Sequence, residues 1–338
     1  MIDHYEESFH HRTMELPDEL LKGAIDIHVH AGPHLISSPR RVDPFQAAEM
    51  ARDAGLRAIV LMDVIDSSTG TAWMVSRKVS GIAVYGGFIL SSNYGGLNPR
   101  AVKTAMYYGA GAKFVSFGAH STRHIAGSEG KLVDGNPVLY KDIDPEFMEE
   151  EYSRAVSIPL EGATSSALDR ILKIIAENHH VYLNTGHLSG PEGLRLVEMA
   201  RDYGIKNILV AHVSRNNMTM EERKKAAKLG AFLEATYADF VYPGGIPRSH
   251  YYVEKHLLNS LPGIPHKIPG GFASFRDEIR EVGPEHYILS SDYGIRAACP
   301  PVEAMRGFVA SLLDLDVEND TITRMISVNP AKLLGMPD

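Results

Sequence analysis

Cysteine is almost absent from the 338-residue chain, which has Cys299 and no second one. A lone cysteine excludes an intramolecular disulfide, and it suits a reducing compartment. It also excludes a cluster of thiolate ligands. A metal site in this chain must therefore be built from His, Asp, Glu or a modified Lys.

Positive charge is also scarce, because 34 Lys and Arg face 42 Asp and Glu and leave a formal net charge of −8. That balance argues against binding of nucleic acid through a basic surface and suits a protein that acts on small molecules. No apolar run approaches the roughly 18 residues of a membrane-spanning helix, and the polar, acidic start of the chain is unlike a signal peptide. We therefore expect a cytoplasmic protein with neither a nucleic-acid partner nor a membrane partner.

Eight short apolar runs alternate with helix-like segments along almost the whole chain. The runs span 24–30, 58–62, 82–90, 112–117, 181–185, 207–211, 231–235 and 287–291. Continuous apolar runs of this length are typical of parallel strands that are buried on both faces. The intervening segments carry helix-start signals such as Asp43-Pro44, and a helix near 319–334 is expected to end the chain.

Two folds fit this alternation: a (β/α)8 barrel and a doubly wound open sheet. Eight successive units favour the barrel, and no Gly-x-Gly-x-x-Gly follows the first strand, where a dinucleotide-binding sheet would carry it. We predict an α/β protein of the TIM-barrel type, a single domain over residues 23–338 after a lead-in at residues 1–22. The runs 119–159 and 239–271 follow strands four and seven, so they are expected as insertions over the face where substrates bind.

Metal-ligating residue types stand at the carboxyl ends of four of these strands. His28 and His30 end strand one and project from the same face, because they are two residues apart. His187, His212 and Asp292 end strands five, six and eight. Each of them alone would be explained as a satisfied polar residue or a turn former. Together at one rim of a barrel, where catalytic groups gather, they favour a shared site.

Imidazole and carboxylate ligands suit a divalent ion, with zinc as the first choice and manganese, iron or nickel as alternatives. An ion held at this rim would lower the pKa of a water to about 7 and make it a nucleophile at neutral pH. Asp292 is placed both to contact the ion and to take the proton from that water.

The His-x-His pair on strand one, the single histidines on strands five and six and the aspartate on strand eight resemble the amidohydrolase superfamily. Several stretches resemble a small, largely uncharacterised amidohydrolase-like subgroup: His28–Pro33, Gly95–Pro99, Thr185–Ser189, Leu289–Asp292 and Asn329–Gly335. The resemblance covers essentially the whole chain and implies a metal-dependent hydrolase with one or two ions. It assigns as ligands His28, His30, His187, His212 and Asp292, with Asp292 and His212 as the catalytic candidates.

The chain departs from the binuclear members of the superfamily, which carry a carboxylated lysine at the end of strand four. Lys113 stands near the start of that strand, so we expect it to be structural or solvated. Asp63, His120 and Glu234 are the alternative additional ligands, and nothing in the sequence selects among them. The number of ions therefore stays open.

Loop residues that follow the strands are candidates for substrate binding. His34, His124 and Arg296 are predicted to contact substrate, with Arg296 suited to an anionic group. An aromatic lid is the corresponding prediction for three residues of the second insertion: Tyr242, Tyr251 and Tyr252.

Three functions fit these residues. The first is a metal-dependent hydrolase, in which an activated water attacks an amide, ester or lactone bond of a small molecule. The second is a metal-dependent non-oxidative decarboxylase of a small carboxylic acid, similar to the aminocarboxymuconate-semialdehyde-decarboxylase branch, with His212 as acid or base. The third is a non-catalytic metal-binding barrel, against which the open rim argues, because structural sites are closed by protein ligands. A homo-oligomer is compatible with each of them.

Overall fold

The computed structural model describes residues 17–34, 39–241, 270–296 and 298–337. In these ranges the strands are β1 (Ile25–Val29), β2 (Ala58–Leu61), β3 (Ala83–Tyr85), β4 (Phe88–Ile89), β5 (Phe114–Ser116), β6 (Gly130–Val133), β7 (Asn136–Leu139), β8 (Tyr182–Asn184), β9 (Ile208–Val210), β10 (Phe232–Thr236) and β11 (Tyr287–Ser290). The helices are α1 (Pro44–Asp53), α2 (Thr69–Ser76), α3 (Pro99–Tyr107), α4 (Arg123–Ala126), α5 (Tyr140–Ile143), α6 (Pro145–Arg154), α7 (Ser166–Glu177), α8 (Gly190–Asp202), α9 (Met220–Lys228), α10 (Tyr237–Phe240), α11 (Gly271–Val282), α12 (Pro301–Leu313), α13 (Asn319–Thr323) and α14 (Asn329–Leu334). None of the helices in these ranges is long and apolar enough to cross a membrane.

Short polar side chains cap helices at positions that the sequence predicts as helix starts. The Asp43 carboxylate accepts from the Gln46 backbone N–H at 2.9 Å, and the Gln46 side chain accepts from the Asp43 backbone N–H at 3.0 Å. This reciprocal capping box stands directly ahead of Pro44, whose missing N–H costs nothing at the first helical position. Asn98 caps α3 by accepting from two backbone N–H groups of its first turn. The side chains of Asp43 and Asn98 therefore fix where the loops ahead of α1 and α3 end.

The strands run in one parallel circuit, and the predicted TIM barrel is confirmed. β1, β2 and β3 pair in that order, and β4, β5, β8, β9, β10 and β11 pair in a second run. β3 and β4 together are the third strand of the barrel, interrupted at Gly86 and Gly87. A Cβ on Gly87 would lie 2.3 Å from the Phe114 ring, and one on Gly86 would lie 2.4 Å from the Ser68 carbonyl oxygen. Glycine is required here because the strand passes so close to its neighbours.

The first and eighth strands close the circuit through hydrogen bonds at their carboxyl ends. The Asp292 backbone N–H donates to the His28 carbonyl at 2.9 Å, and the His30 N–H donates to the Tyr293 carbonyl at 3.0 Å. We call this junction the β11–β1 seam. The barrel is thus closed by the backbone of three residues that the sequence predicts as metal ligands.

Two apolar layers hold the barrel together. The larger layer packs the outer faces of the strands against the helices, as where Leu289 of β11 joins Phe308 of α12 in one buried cluster. The smaller layer gathers residues from strands all around the circuit: Ile25, Val60, Ile89, Phe114, Tyr182, Leu209 and Ile288. Side chains from opposite sides of a barrel meet only in its interior, so this layer fills the barrel beneath its polar rim.

An insertion follows strand four, as predicted, but it is more ordered than its irregular sequence indicates. It contains α4, the antiparallel hairpin of β6 and β7, and the consecutive helices α5 and α6. Thr122 begins this segment by capping α4 and by donating its hydroxyl hydrogen bond to the His187 carbonyl at 2.8 Å. The insertion is therefore tied to the rim. The second insertion begins at α10, and residues 242–269, with the three predicted lid tyrosines, lie outside the described residues.

The final helix is divided, which the sequence does not predict. A single helix is expected over 319–334, whereas α13 and α14 are separated by a π-helical turn over Arg324–Val328. Pro330 supplies the reason, because it has no N–H to donate to the carbonyl of Ile326 and its ring crowds that turn. The buried Asn329 uses the altered turn to donate to the Tyr287 carbonyl at 2.6 Å, which joins the last helix to the start of β11.

Candidate metal centre

Two histidine side chains converge on one carboxylate at the carboxyl rim of the barrel. His30 Nε2 lies 2.9 Å from Asp292 Oδ1, and His28 Nε2 lies 3.4 Å from the same oxygen. Each of the three side chains is at most 11% exposed, and their three ligand atoms lie within 4.8 Å of one another. Two imidazole nitrogens and one carboxylate oxygen in this arrangement are a ligand set for one divalent ion.

The Nδ1 atoms of three histidines at the rim are held by acceptors. The pairs are His28 with Glu234 Oε1 at 3.0 Å, His30 with the Met62 carbonyl at 2.8 Å and His212 with Asp239 Oδ2 at 3.2 Å. A carbonyl or an ionised carboxylate only accepts, so Nδ1 carries a proton in each ring. In a neutral ring, Nε2 then has a lone pair for a further ligand. Metal-binding histidines have this arrangement, in which an outer acceptor fixes the tautomer and the orientation of the ring.

His187 and His212 stack face to face beside this set, with ring centroids 4.4 Å apart. The His212 ring is also edge-on to His28 at 5.1 Å. His212 Nε2 and His187 Nδ1 are buried, and neither has a hydrogen-bond partner among the described residues. Leaving a buried polar atom without a partner costs about 1–3 kcal/mol, so such atoms mark places where a ligand belongs. All five residues that the sequence predicts as ligands line one cleft.

Two of these five residues have a left-handed backbone. The φ angles are +49° at His212 and +52° at Asp292, each two residues beyond the end of a strand. Positive φ is uncommon outside glycine, although Asp, Asn and His adopt it more readily than other residues. Where it occurs it tends to be found at functional sites, because the surrounding structure must hold it in place.

The charges around the site set the protonation of its residues. Burial lowers the pKa of His28, but the carboxylates of Glu234 and Asp292 outweigh burial and raise that pKa to about 9. Burial lowers the pKa of His30 to about 4 and holds the pKa of His187 well below its ordinary value. Burial also raises the pKa of Asp292, but the charge of His28 and the contact with His30 outweigh it and leave that pKa well below its usual range. At neutral pH, Asp292 is therefore ionised, His28 is protonated, and His30 and His187 are neutral. An ion that binds His28 must therefore displace its Nε2 proton.

Asp26 and Asp239 support the ligands, and the sequence analysis missed both. The Asp26 carboxylate accepts from the backbone N–H groups of His28 and Ser291, each at 3.1 Å, and so joins the two strands of the β11–β1 seam. Burial raises the pKa of Asp26 to about 6. An aspartate inside an apolar strand was the available signal, because a buried carboxyl needs partners. Asp239, the partner of His212, had no such signal, since it lies in the short helix α10 beyond strand seven.

The end of strand four carries no metal-ligating side chain. Ser116 stands there on the wall of the cleft, and no lysine lines that wall among the described residues. Lys113 lies elsewhere, with its ammonium 5.1 Å from the centroid of the Tyr85 ring. This placement agrees with the prediction that Lys113 is structural.

Glu234 is the predicted additional ligand that lies nearest to the converging histidines. Its side chain is fully buried and accepts from the Ser290 hydroxyl at 2.7 Å as well as from His28. One of its oxygens, a nitrogen of His28 and a nitrogen of His212 lie within 4.8 Å of one another. The geometry gives Glu234 a supporting contact with His28 Nδ1.

The other two predicted additional ligands lie further from that set. His120 lines the cleft, with its ring centroid 5.3 Å from that of His187, and its Nδ1 pairs with Glu129. Asp63 lies outside the cleft wall and accepts from the backbone N–H of Ile65 at 2.8 Å, which is the contact of a turn former.

Of the three predicted substrate-binding residues, one lines the cleft and two do not. His34 lies on the cleft wall, where burial and the charge of Arg40 lower its pKa to about 3. His124 lies on α4, and Arg296 is exposed in the loop after strand eight. Neither His124 nor Arg296 belongs to the wall of the cleft as the described residues form it.

Two arginines that the sequence analysis did not single out do lie on that wall. Arg40 comes from the loop after strand one, and Arg215 stands three residues after His212. The cleft holds about 770 Å³ of space outside protein atoms, including the part open to solvent.

Solved structures with a similar fold are hydrolases by their descriptions. One, engineered for organophosphate hydrolysis from a weak promiscuous lactonase template, is 12% identical with a TM-score of 0.55, over 96% of this chain and 97% of that one. The organophosphorus hydrolase from Deinococcus radiodurans is 13% identical with a TM-score of 0.54, over 96% of this chain and 94% of that one. A mutant of a PTE-like lactonase from the same organism is 13% identical with the same TM-score, over 96% and 97%. At these identities the likeness shows the fold alone.

The sequence matches fewer known proteins than the structure does. No curated protein matches the chain. One family model matches residues 23–234, more than half of the chain and from β1 to β10, and its description is a family of unknown function. The chain therefore belongs to this family, DUF6282.

Proposed function

We propose that this chain is a metal-dependent hydrolase of the amidohydrolase type, which uses an activated water to attack an amide, ester or lactone bond of a small molecule. One observation carries the proposal: His28 Nε2 and His30 Nε2 converge on Asp292 Oδ1 at the rim of the barrel. The similar fold of the organophosphorus hydrolase and the PTE-like lactonase supports it.

The residues fit a divalent ion. Neutral His30 donates through Nδ1 to the Met62 carbonyl, so its Nε2 presents a lone pair to ionised Asp292 Oδ1 at 2.9 Å. Two acceptors at that distance repel each other unless a cation lies near both of them. Protonated His28 meets this need, and a divalent ion that displaces its Nε2 proton would meet it as well. Nitrogen and carboxylate donors together suit zinc, with manganese, iron or nickel as alternatives. The unpartnered Nε2 of His212 and Nδ1 of His187 extend the donor set.

The reaction would divide between the ion and the chain. A divalent ion supplies Lewis acidity, which polarises a carbonyl and lowers the pKa of water. Asp292 stays ionised, so it accepts the proton of the attacking water and passes it to the leaving group. Asp239 holds His212, and Glu234 holds His28, so the rings keep one orientation through the reaction.

We infer one ion on His28, His30 and Asp292 as the minimum site. His28 and His30 have the carboxylate of Asp292 as a third ligand. On the described cleft wall, His187 and His212 have no lysine beside them that could be carboxylated to supply a corresponding anionic ligand. A second ion on the histidine pair would need Glu234, His120 or another anionic group as its further ligand.

A decarboxylase is the second candidate, because a lysine-free cleft with a single ion also suits a carboxylic acid substrate. In that case His212, whose Nε2 is unpartnered, would donate or accept the proton at the reacting carbon. Release of CO2, measured against release of alcohol or amine from the matching ester or amide, separates the two reactions.

The first test is metal analysis of the protein purified without chelator. We expect about one divalent ion per chain, retained through gel filtration, and its loss in the double variant His28→Ala, His30→Ala. The matched control is His180→Ala, an exposed histidine at the opposite end of β8, which should keep the ion. Protein without stoichiometric metal, or a double variant that retains it, would refute the proposal.

A further inference from the structure

Arg215 is a buried cation on the wall of the cleft. Its side chain is 10% exposed, and the nearest carboxylate oxygen, Asp292 Oδ2, lies 3.9 Å from Nη1. That separation is too long for a hydrogen bond. The Nε atom of Arg215 is buried and has no partner among the described residues. A nine-tenths buried guanidinium therefore enters the cleft with donors that the described chain does not satisfy.

An unsatisfied guanidinium needs an anion. Burial removes water from its Nε–H, and a buried donor left without an acceptor destabilises the structure. Asp292 does not meet this need, because its Oδ1 faces His28 and His30 while its Oδ2 stays outside hydrogen-bond range of Arg215. Planar, forked recognition of a carboxylate or a phosphate is the contact for which arginine is best suited.

Arg40 brings a second positive charge to the same cleft. It lines the wall together with Arg215, and its charge contributes to the lowered pKa values of both His30 and His34. The cleft thus has cationic groups on two loops, one after strand one and one after strand six.

We propose that Arg215, assisted by Arg40, binds an anionic group of the substrate, a carboxylate or a phosphate, while the bond to be broken lies at His28, His30 and Asp292. This rests on the proposed function and narrows it to small molecules that carry a free anion close to the reacting carbonyl. Exposed Arg296, which the sequence predicted for this role, is replaced by Arg215.

The test measures anion binding by calorimetry on the metal-loaded protein at low salt. The probes are inorganic phosphate and malonate, with malonamide as the uncharged match of malonate. The variants are Arg215→Gln, Arg215→Lys and Arg296→Gln, with Arg170→Gln, an exposed arginine on α7, as the control. The preferred probe, phosphate or malonate, identifies which anion the site takes.

We expect the native protein to bind one of the two anions and not malonamide. Arg215→Gln should weaken that binding by about 10-fold or more, as expected for loss of a charged hydrogen bond. Arg215→Lys, which keeps the charge but not the fork, should weaken it less and also serves if Arg215→Gln fails to fold. Arg296→Gln and Arg170→Gln should bind as the native protein does.

Three outcomes would overturn the inference: neither anion binds, Arg215→Gln binds as tightly as native protein, or Arg296→Gln is the variant that loses binding. Metal content is measured on every sample. If Arg215 only balances the charge of Asp292, its loss changes the affinity for metal and leaves anion binding intact. If native protein holds no metal, the proposed function fails, and the same titrations still decide whether Arg215 binds an anion.

Discussion

The rim of the barrel has two unlike halves. The β1–β11 half, made of His28, His30 and Asp292, contains an ionised carboxylate that faces two imidazole nitrogens. The β5–β9 half, made of Ser116, His187 and His212, has stacked imidazoles and a hydroxyl but no carboxylate or lysine of its own. Both halves line one cleft, and the first has the charge that a divalent ion requires.

The support behind the two halves also differs. In the β1–β11 half, Glu234 and the Met62 carbonyl hold the two histidines, and Asp26 ties their strand to β11. In the β5–β9 half, Asp239 holds His212, while His187 Nδ1 has no partner in the described chain. The difference teaches that the two halves offer the same imidazole donors but unequal negative charge, so we expect the first ion to prefer the β1–β11 half.

The largest difference in bound metal is expected between a variant that damages the β1–β11 half and a variant that damages the β5–β9 half. Asp292→Asn removes the charge of the β1–β11 half while keeping a residue type that tolerates positive φ. Bound metal should fall from about one ion per chain to nearly none, and activity should fall by more than the roughly 10–100-fold typical of losing an outer partner. His187→Ala should keep the ion. The metal-to-protein ratio after gel filtration measures both.

The same metal-to-protein ratios can contradict the difference that we expect between the two halves. Should His187→Ala lose the ion while Asp292→Asn keeps it, the β5–β9 half would be the primary site. Two ions per native chain, with one lost in each variant, would make the halves equal.

A smaller effect is expected from the residues that hold the ligands. Glu234→Gln keeps an acceptor for His28 but removes its charge, and Asp239→Asn does the same for His212. Metal affinity should fall by about 10–100-fold in Glu234→Gln and by less in Asp239→Asn, because Glu234 serves the half that carries the ion. Competition with a chelator of known affinity gives both values. Glu177→Gln, on the outer helix α7, is the matched control, and equal losses from the two buried carboxylates would contradict the ranking.

The smallest effect should come from Lys113. Its ammonium contacts the Tyr85 ring, so Lys113→Gln should change the free energy of unfolding by about 1 kcal/mol or less. Metal content should not change. Urea denaturation and metal analysis of the same samples test this, and a drop in bound metal would show that Lys113 reaches the site after all.

The fold could be predicted from the sequence because its signals are local and repeated. Apolar runs such as 58–62 and caps such as Asp43 each specify one element, and eight of them in alternation leave few architectures. The division of the last helix was missed, although a proline in the interior of a predicted helix indicates a kink or an end. Pro330 interrupts a helix that began earlier.

The site could be predicted in part for the same reason. Ligands at strand ends are visible, since the strand places them, and all five gather in one cleft. The residues around them are not visible, because Asp239 stands in the short helix α10 and Arg215 in a loop, and the position of both depends on the whole fold. The sequence alone does not distinguish Arg296 from Arg215, because both are arginines in loops that follow strands. Their burial in the structure separates the exposed cation from the one that faces the cleft.

The β11–β1 seam brings together His30 and Asp292, which are 262 positions apart in the chain. An ion bound to both residues would cross-link the first and last strands of the barrel and enclose most of the polypeptide in one loop. The contact between them has one of the longest sequence separations in the fold, so it is expected to form late in folding. Metal loading would therefore stabilise the last step of folding, and chelation would first open the seam, where the amides of His30 and Asp292 would exchange with solvent before those of the barrel interior.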